Sequence, residues 1–185
     1  LWNEDIPVIN HKDEANKTTT VEIIAGKINT INALDPTPDS WAANPNNSVG
    51  VYTVKMEAGA QWTLPKTSSE ANRSVFFYKG STIKIEGQTI AANHFIELEA
   101  GENIALQNGN TEAYFLILEG NPIGETVAQH GPFVMNTQQE IREAMSDYGK
   151  TQFGGWPWGE KEVVHSREKG RFASHSNGKE EIKNS

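Results

Sequence analysis

The chain has 185 residues, 36% of them hydrophobic and 22% charged, an ordinary globular composition and long enough to bury a core without covalent staples. Its net charge of −8 argues against direct nucleic-acid binding and against anionic membrane, both of which demand a basic surface. With no Cys at all, disulfides, thiolate metal sites and Cys nucleophiles are excluded.

No stretch approaches the roughly 20 apolar residues that span a bilayer. The opening Leu1-Trp2-Asn3-Glu4-Asp5 lacks the basic and apolar regions of a signal peptide. The lack of Cys leaves the compartment open, with a reduced cytoplasm the expected one. Because translation starts at Met, a chain opening on Leu1 reads as a piece of a longer protein. The charge is uneven as well: residues 159–185 balance to +1, and the remainder carries −9.

In chain order, Val21 to Gly26 is a short strand ending at Gly, and residues 35–50 are crowded with Pro, Asn, Asp and Ser and form a loop. Val51 to Met56 alternates as a strand. Ser74 to Tyr78 is aromatic and β-branched, Ile83 and Ile85 alternate with polar neighbours, and Phe95 to Leu98 runs to a turn at Gly101. Ile104–Leu106 and Ala113–Leu118 flank Asn108-Gly109, which predicts a hairpin between them. Many short strands at this spacing indicate a sandwich or barrel.

One helix follows, at about 137–148. Thr137 and Glu140 form a capping box, and Ile141, Met145 and Tyr148 make an apolar stripe that should dock on the outside of the barrel. Gly149 is the expected left-handed stop. Beyond Gly154 the pattern fades. Trp156 and Trp158 stand in an irregular segment where they should pack on something, and the end of the chain reads as a loosely attached, irregular tail. The expected division is 1–153, barrel plus helix, and 154–185, tail.

Strands punctuated by Gly in this way resemble the cupin superfamily. A metal-binding cupin puts a His-x-His pair and a Glu on one strand pair and a further His on a later strand, where imidazoles and carboxylate face inward around an iron-like ion. Between Gly59 and Gly80 this chain has no His. It offers Gln61, Trp62, Leu64 and Lys66, and after Gly101 it reads Glu102-Asn103-Ile104. The five His residues (11, 94, 130, 165 and 175) are scattered, and only a folded-back tail could bring His165 to His175. No nucleophile elbow, phosphate loop or dinucleotide fingerprint occurs. The expected catalytic, cofactor-binding and metal residues are therefore none.

The segment Glu119-Gly120-Asn121-Pro122-Ile123-Gly124-Glu125, followed by His130-Gly131-Pro132-Phe133-Val134-Met135-Asn136-Thr137, closely resembles the end of pirin proteins. Ala144, Asp147, Tyr148 and Phe153-Gly154 continue the likeness. So do Ile6-Pro7 with Val21–Gly26, Gly155 to Trp158, and Lys169 to Ala173. The likeness runs from about residue 5 to about residue 173. It implies an all-β fold, a cupin-type double-stranded β-helix barrel with one C-terminal helix. In the physical reading, Gly131-Pro132 turns the chain, Phe133, Val134 and Met135 form a buried plug, and Thr137 caps the helix.

The resemblance further implies a bicupin whose N-terminal barrel binds iron through three His and one Glu, while its C-terminal barrel is degenerate. None of those ligands maps onto this chain. The expected function is a metal-free, non-catalytic C-terminal domain with a structural or protein-interaction role. Its partners would be the iron-binding N-terminal barrel, another protein, or a second copy in a homodimer. Two alternatives stand beside it. One is a small-molecule-binding barrel whose remnant cavity is lined by Trp62, Phe76, Tyr78 or His94. The other is part of a quercetin 2,3-dioxygenase-like enzyme whose active site lies outside this chain.

Overall fold

A computed structural model describes residues 2–156, 165–175 and 177–183. By contact, the chain divides into two compact units, residues 1–123 and 124–185.

The first unit holds strands β1 (Val8–Lys12), β2 (Thr18–Ala25), β3 (Lys27–Ile28), β4 (Ile31–Asn32), β5 (Gly50–Met56) and β6 (Gln61–Leu64). These are followed by β7 (Asn72–Lys79), β8 (Thr82–Ile85), β9 (Gln88–Ala91), β10 (His94–Glu99), β11 (Ile104–Asn108) and β12 (Ala113–Gly120). They form a six-stranded antiparallel sheet, β1-β2-β5-β12-β7-β10, and a four-stranded one, β6-β11-β8-β9, with β3 and β4 paired separately. From β5 to β12 the chain passes repeatedly from one sheet to the other, the expected cupin-type winding. The hydrogen-bonded ladders do not close into a ring.

Alternation puts one face of eight of these strands into a common core. β5 buries Tyr52, Val54 and Met56, β7 buries Val75 and Phe77, and β12 buries Ala113, Phe115 and Ile117. The smaller sheet adds Trp62, Leu64, Ile83, Ile85, Ile104 and Leu106. The Phe77 and Phe115 rings stack at 4.7 Å in its centre.

The hairpin expected at Asn108-Gly109 does not form: β11 pairs with β6 and β8, and β12 lies in the other sheet. The favoured two-residue hairpin turns need positive φ at the first or at both central residues, and neither Asn108 nor Gly109 has it. Instead the Gly109 amide donates to the Thr82 carbonyl at 2.9 Å, and a Cβ at Gly109 would sit 2.6 Å from Thr82 Oγ1. Close approach, not a turn, is what glycine permits there. The turn chemistry appears at Glu86-Gly87, with φ of 44° and 84°, joining β8 to β9.

The second unit contains β13 (Ala128–His130), β14 (Phe133–Met135), helix α1 (Gln138–Thr151), β15 (Arg171–Ser174) and β16 (Glu180–Lys183). The capping box is present. Thr137 Oγ1 accepts from the Glu140 amide at 3.2 Å, and Glu140 Oε2 accepts from the Thr137 amide at 2.7 Å.

Three expectations for this region need correction. The helix runs through Gly149 and stops at Gln152, which takes the left-handed conformation (φ 51°) while its amide donates to the Tyr148 carbonyl. Its buried residues are Ile141 and Ala144, whereas Met145 and Tyr148 are 43% and 44% exposed. The buried stripe is Ile141 and Ala144, three apart, and the helix packs on the β13–β14 hairpin. The plug is not buried either. Val134 and Met135 are exposed, and only Phe133 is half-covered, in an edge-on cluster with Tyr148 and Phe153.

Trp156 is exposed, and Trp158 lies outside the described residues. In the segment expected to be irregular, β15 and β16 form a hairpin, with the Lys169 ammonium 3.9 Å from the Phe172 ring centre. Among the described residues no helix is long and apolar enough to cross a membrane.

Candidate functional site

In the stretch expected to hold the first metal motif, between Gly59 and Gly80, lies β6. Its inward positions are Trp62 and Leu64, both in the core, while Gln61 and Lys66 are exposed. In the second segment Ile104 is buried, Asn103 Oδ1 accepts from the Lys66 amide at 2.8 Å, and the Glu102 carbonyl faces Arg73. An iron ion does not fit these residues. The inward side chains of β6 offer no metal ligand, and Arg73, inward on β7 and bonded to the Pro65 carbonyl at the end of β6, is a cation. Among the described residues no group of three or more His, Asp or Glu side chains could hold a metal.

Arg73 belongs to the polar arrangement that stands in that place. It is 2% exposed, and its Nε donates to Glu119 Oε2 at 2.8 Å in an ion pair whose side chains are both almost fully covered. Its Nη2 donates to the Pro65 carbonyl at 2.7 Å and its Nη1 to the Glu102 carbonyl at 3.4 Å. Arg73 thereby ties β7, in the larger sheet, to the end of β6 and the entry to β11, in the smaller. A desolvated pair is tolerable only when the remaining protons and lone pairs also find partners, and these carbonyls supply them.

The other Glu119 oxygen, Oε1, lies 2.9 Å from the Tyr52 hydroxyl, which is also 3.0 Å from the Lys27 carbonyl. Burial, reinforced by the Glu119 charge, pushes the Tyr52 hydroxyl far above the usual phenol range, so it stays protonated. The Tyr52 and Glu119 side chains crowd the start of β5. A Cβ at Gly50 would lie 2.3 Å from the Tyr52 hydroxyl oxygen and 2.7 Å from Glu119 Cγ, so only glycine lets β5 start there.

Tyr52 and Glu119 form the floor of a cleft of 1190 Å³. Its walls come from β3 and β4, from residues 33–49 and from the stretch after β6. The 35–50 loop is an organised wall, built of two short 3₁₀ turns at Trp41–Ala43 and Pro45–Asn47 that are capped by Ser40 and Asn44. The Asn121 amide and its side-chain nitrogen donate to the carbonyls of Asn47 and Asn46, fastening that loop to the end of β12.

The aromatic residues expected to line a remnant cavity are not brought together at this cleft. Phe76 and Tyr78 share a face, but it is the outer face of the six-stranded sheet; Phe76 packs on Phe95, and Tyr78 is exposed. The pleat explains this, since Val75 and Phe77 take the inward positions. Trp62 is core, and His94 is exposed with Nδ1 3.0 Å from the Ala91 carbonyl. His165 and His175 have separate partners: the edge of the Phe172 ring for the first, Glu181 Oε1 at 3.5 Å for the second. Arg73, Glu119 and Tyr52 escape sequence reasoning because their partnership spans 46 and 67 positions. One signal was available: Arg73 and Glu119 stand at inward-facing steps of their strands.

Comparison with known proteins agrees with this architecture. Residues 51–154 match the pirin C-terminal cupin domain family. The chain is 32% identical over 119 residues to a putative quercetin 2,3-dioxygenase of Vibrio cholerae, covering 62% of this chain and 41% of that protein. It is 41% identical over 109 residues to a pirin-like protein of Solanum lycopersicum, covering 55% and 36%. A crystal structure of a quercetin 2,3-dioxygenase from Acinetobacter baumannii superposes with a TM-score of 0.66 at 25% identity, over 84% of this chain and 50% of that one. The chain spans less than half the length of these curated relatives. The winding of the two sheets and the match over residues 51–154 together place the chain in the pirin C-terminal cupin domain family.

Proposed function

We propose that this chain is the metal-free cupin half of a pirin-type protein, a non-catalytic domain that steadies an iron-binding barrel and offers a protein-interaction surface, in the cytoplasm. One observation carries the reading. The inward positions of β6 are the apolar Trp62 and Leu64, and the inward cation beside them, Arg73, is already matched by Glu119. A site built that way contributes rigidity between two sheets, not ligands to a metal. Iron, where such a protein uses it, is held by the other barrel.

The test is elemental analysis of the purified chain after gel filtration, joined to co-elution with a separately produced iron-binding pirin barrel. The expected result is no stoichiometric transition metal together with a stable complex. Iron, zinc or copper near one per chain would overturn the metal-free reading, and failure to associate would overturn the supporting role.

The relatives named as quercetin 2,3-dioxygenases favour a second reading, in which the parent is an enzyme of that kind and this domain is its non-catalytic half. Flavonol turnover by the reassembled pair, absent from either half alone, is its test.

A further inference from the structure

At the Tyr52 end of the cleft a single hydroxyl proton faces two acceptors. The Tyr52 hydroxyl has a single proton, and two acceptors lie within its reach, Glu119 Oε1 at 2.9 Å and the Lys27 carbonyl at 3.0 Å. Serving one leaves the other open to a donor from whatever occupies the cleft, water or ligand. The Glu119 charge is already balanced by Arg73 at 2.8 Å, so the floor calls for a neutral donor and not a second cation. The lining mixes polar side chains such as Asn32, Thr37 and Ser68 with apolar ones, Leu34, Pro36, Pro45, Val49 and Pro65, and the apolar ones suit a carbon framework.

We propose that this cleft binds a neutral small molecule with an apolar body and a hydroxyl head. The hydroxyl donates to whichever floor acceptor the Tyr52 proton does not serve. This site is separate from metal chemistry and stands whether or not the supporting-domain reading holds.

The experiment is an NMR titration of the ¹⁵N-labelled full chain with three probes: cyclohexanol, methoxycyclohexane and cyclohexylamine. Cyclohexanol should produce saturable shifts at the amides of Lys27, Val49 and Tyr52. It should bind about tenfold more tightly than its methyl ether, the worth of one well-made hydrogen bond. An ether that binds equally well, an amine that binds better than the alcohol, or no saturable shift with any probe would each overturn the proposal.

Tyr52→Phe sharpens the test, because it frees both acceptors while leaving the Arg73–Glu119 pair in place. With its fold checked by the spectrum itself, this variant should keep or increase the preference for the alcohol over the ether. Loss of that preference in the folded variant would also overturn the proposal, and the wild-type series decides the matter if the variant does not fold.

Discussion

The two units of the chain are held by different means. In residues 2–123 the core draws on eight of the strands, and its largest side chains, Tyr52, Phe77 and Phe115, are fully covered. Among the described residues of the second unit only Ala128, Ile141 and Ala144 are buried, and order comes mostly from short-range devices: a capping box, a hairpin and an edge-on aromatic cluster. Long-range burial gives cooperative, all-or-none stability, whereas short-range devices give segments that can open locally. The first unit should therefore set the global stability, and the second should exchange and fray on its own.

The largest expected effect is at the ion pair. Arg73→Met strands Glu119 in a covered place and should cost about 3–5 kcal/mol in urea unfolding. A loss below about 1 kcal/mol would mean that the cleft lets water rescue the carboxylate and that the pair is not part of the core. Next comes Ile141→Ala, expected to cost about 2–4 kcal/mol but confined to the second unit. Hydrogen exchange should speed up along α1 and stay unchanged in β5 and β12. Equal acceleration in both regions would erase the contrast between the units.

Smaller still, Thr137→Ala should cost about 1 kcal/mol through loss of the cap, measured by helix exchange. Because Met145 is 43% exposed, Met145→Asp should cost no more than that; a several-fold larger loss would show that this side chain is covered.

The mildest effect at neutral pH concerns Tyr52, whose proton is held more tightly in the fold than in the unfolded chain. A raised pKa gives stability that is complete below the unfolded value near 10 and declines as pH rises past it. Stability should thus fall in the alkaline range, and Tyr52→Phe should flatten that fall. Identical alkaline profiles for the two proteins would remove Tyr52 as the cause.

The same contrast explains what could be read from the sequence. Thr137 and Glu140 are three apart, so their reciprocal cap is visible in the string, as is the alternation of Val51–Met56 and Ala113–Leu118. Asn108-Gly109 misleads because the same dipeptide serves a turn or a close approach, and only the neighbouring strand decides which. Thr82 decides it here. β6 is only four residues long, too short to declare a period, and β15 and β16 are hidden by their charged residues. In the cleft, an Arg and a Glu on different strands look like surface residues until the winding of the sheets brings them together. That residues 59–80 hold no His is legible in the sequence; the partnership of Arg73, Glu119 and Tyr52 is not.

The open ladder described above also bears on how the molecule behaves in crowded solution. β1 and β10 leave unpaired backbone groups along both margins of the six-stranded sheet, the feature that templates aggregation. β10 carries Glu97 and Glu99, β1 carries Lys12, and each has one His, His94 and His11. Two copies meeting β10 to β10 would set carboxylates against carboxylates, which disfavours a closed, symmetric pair along that margin. The opposite signs of the two margins leave head-to-tail addition as the electrostatically tolerated mode, and a head-to-tail contact that does not close on itself grows into a filament. Salt weakens that attraction over a Debye length of about 8 Å at physiological strength, so any such growth should be suppressed as ionic strength rises.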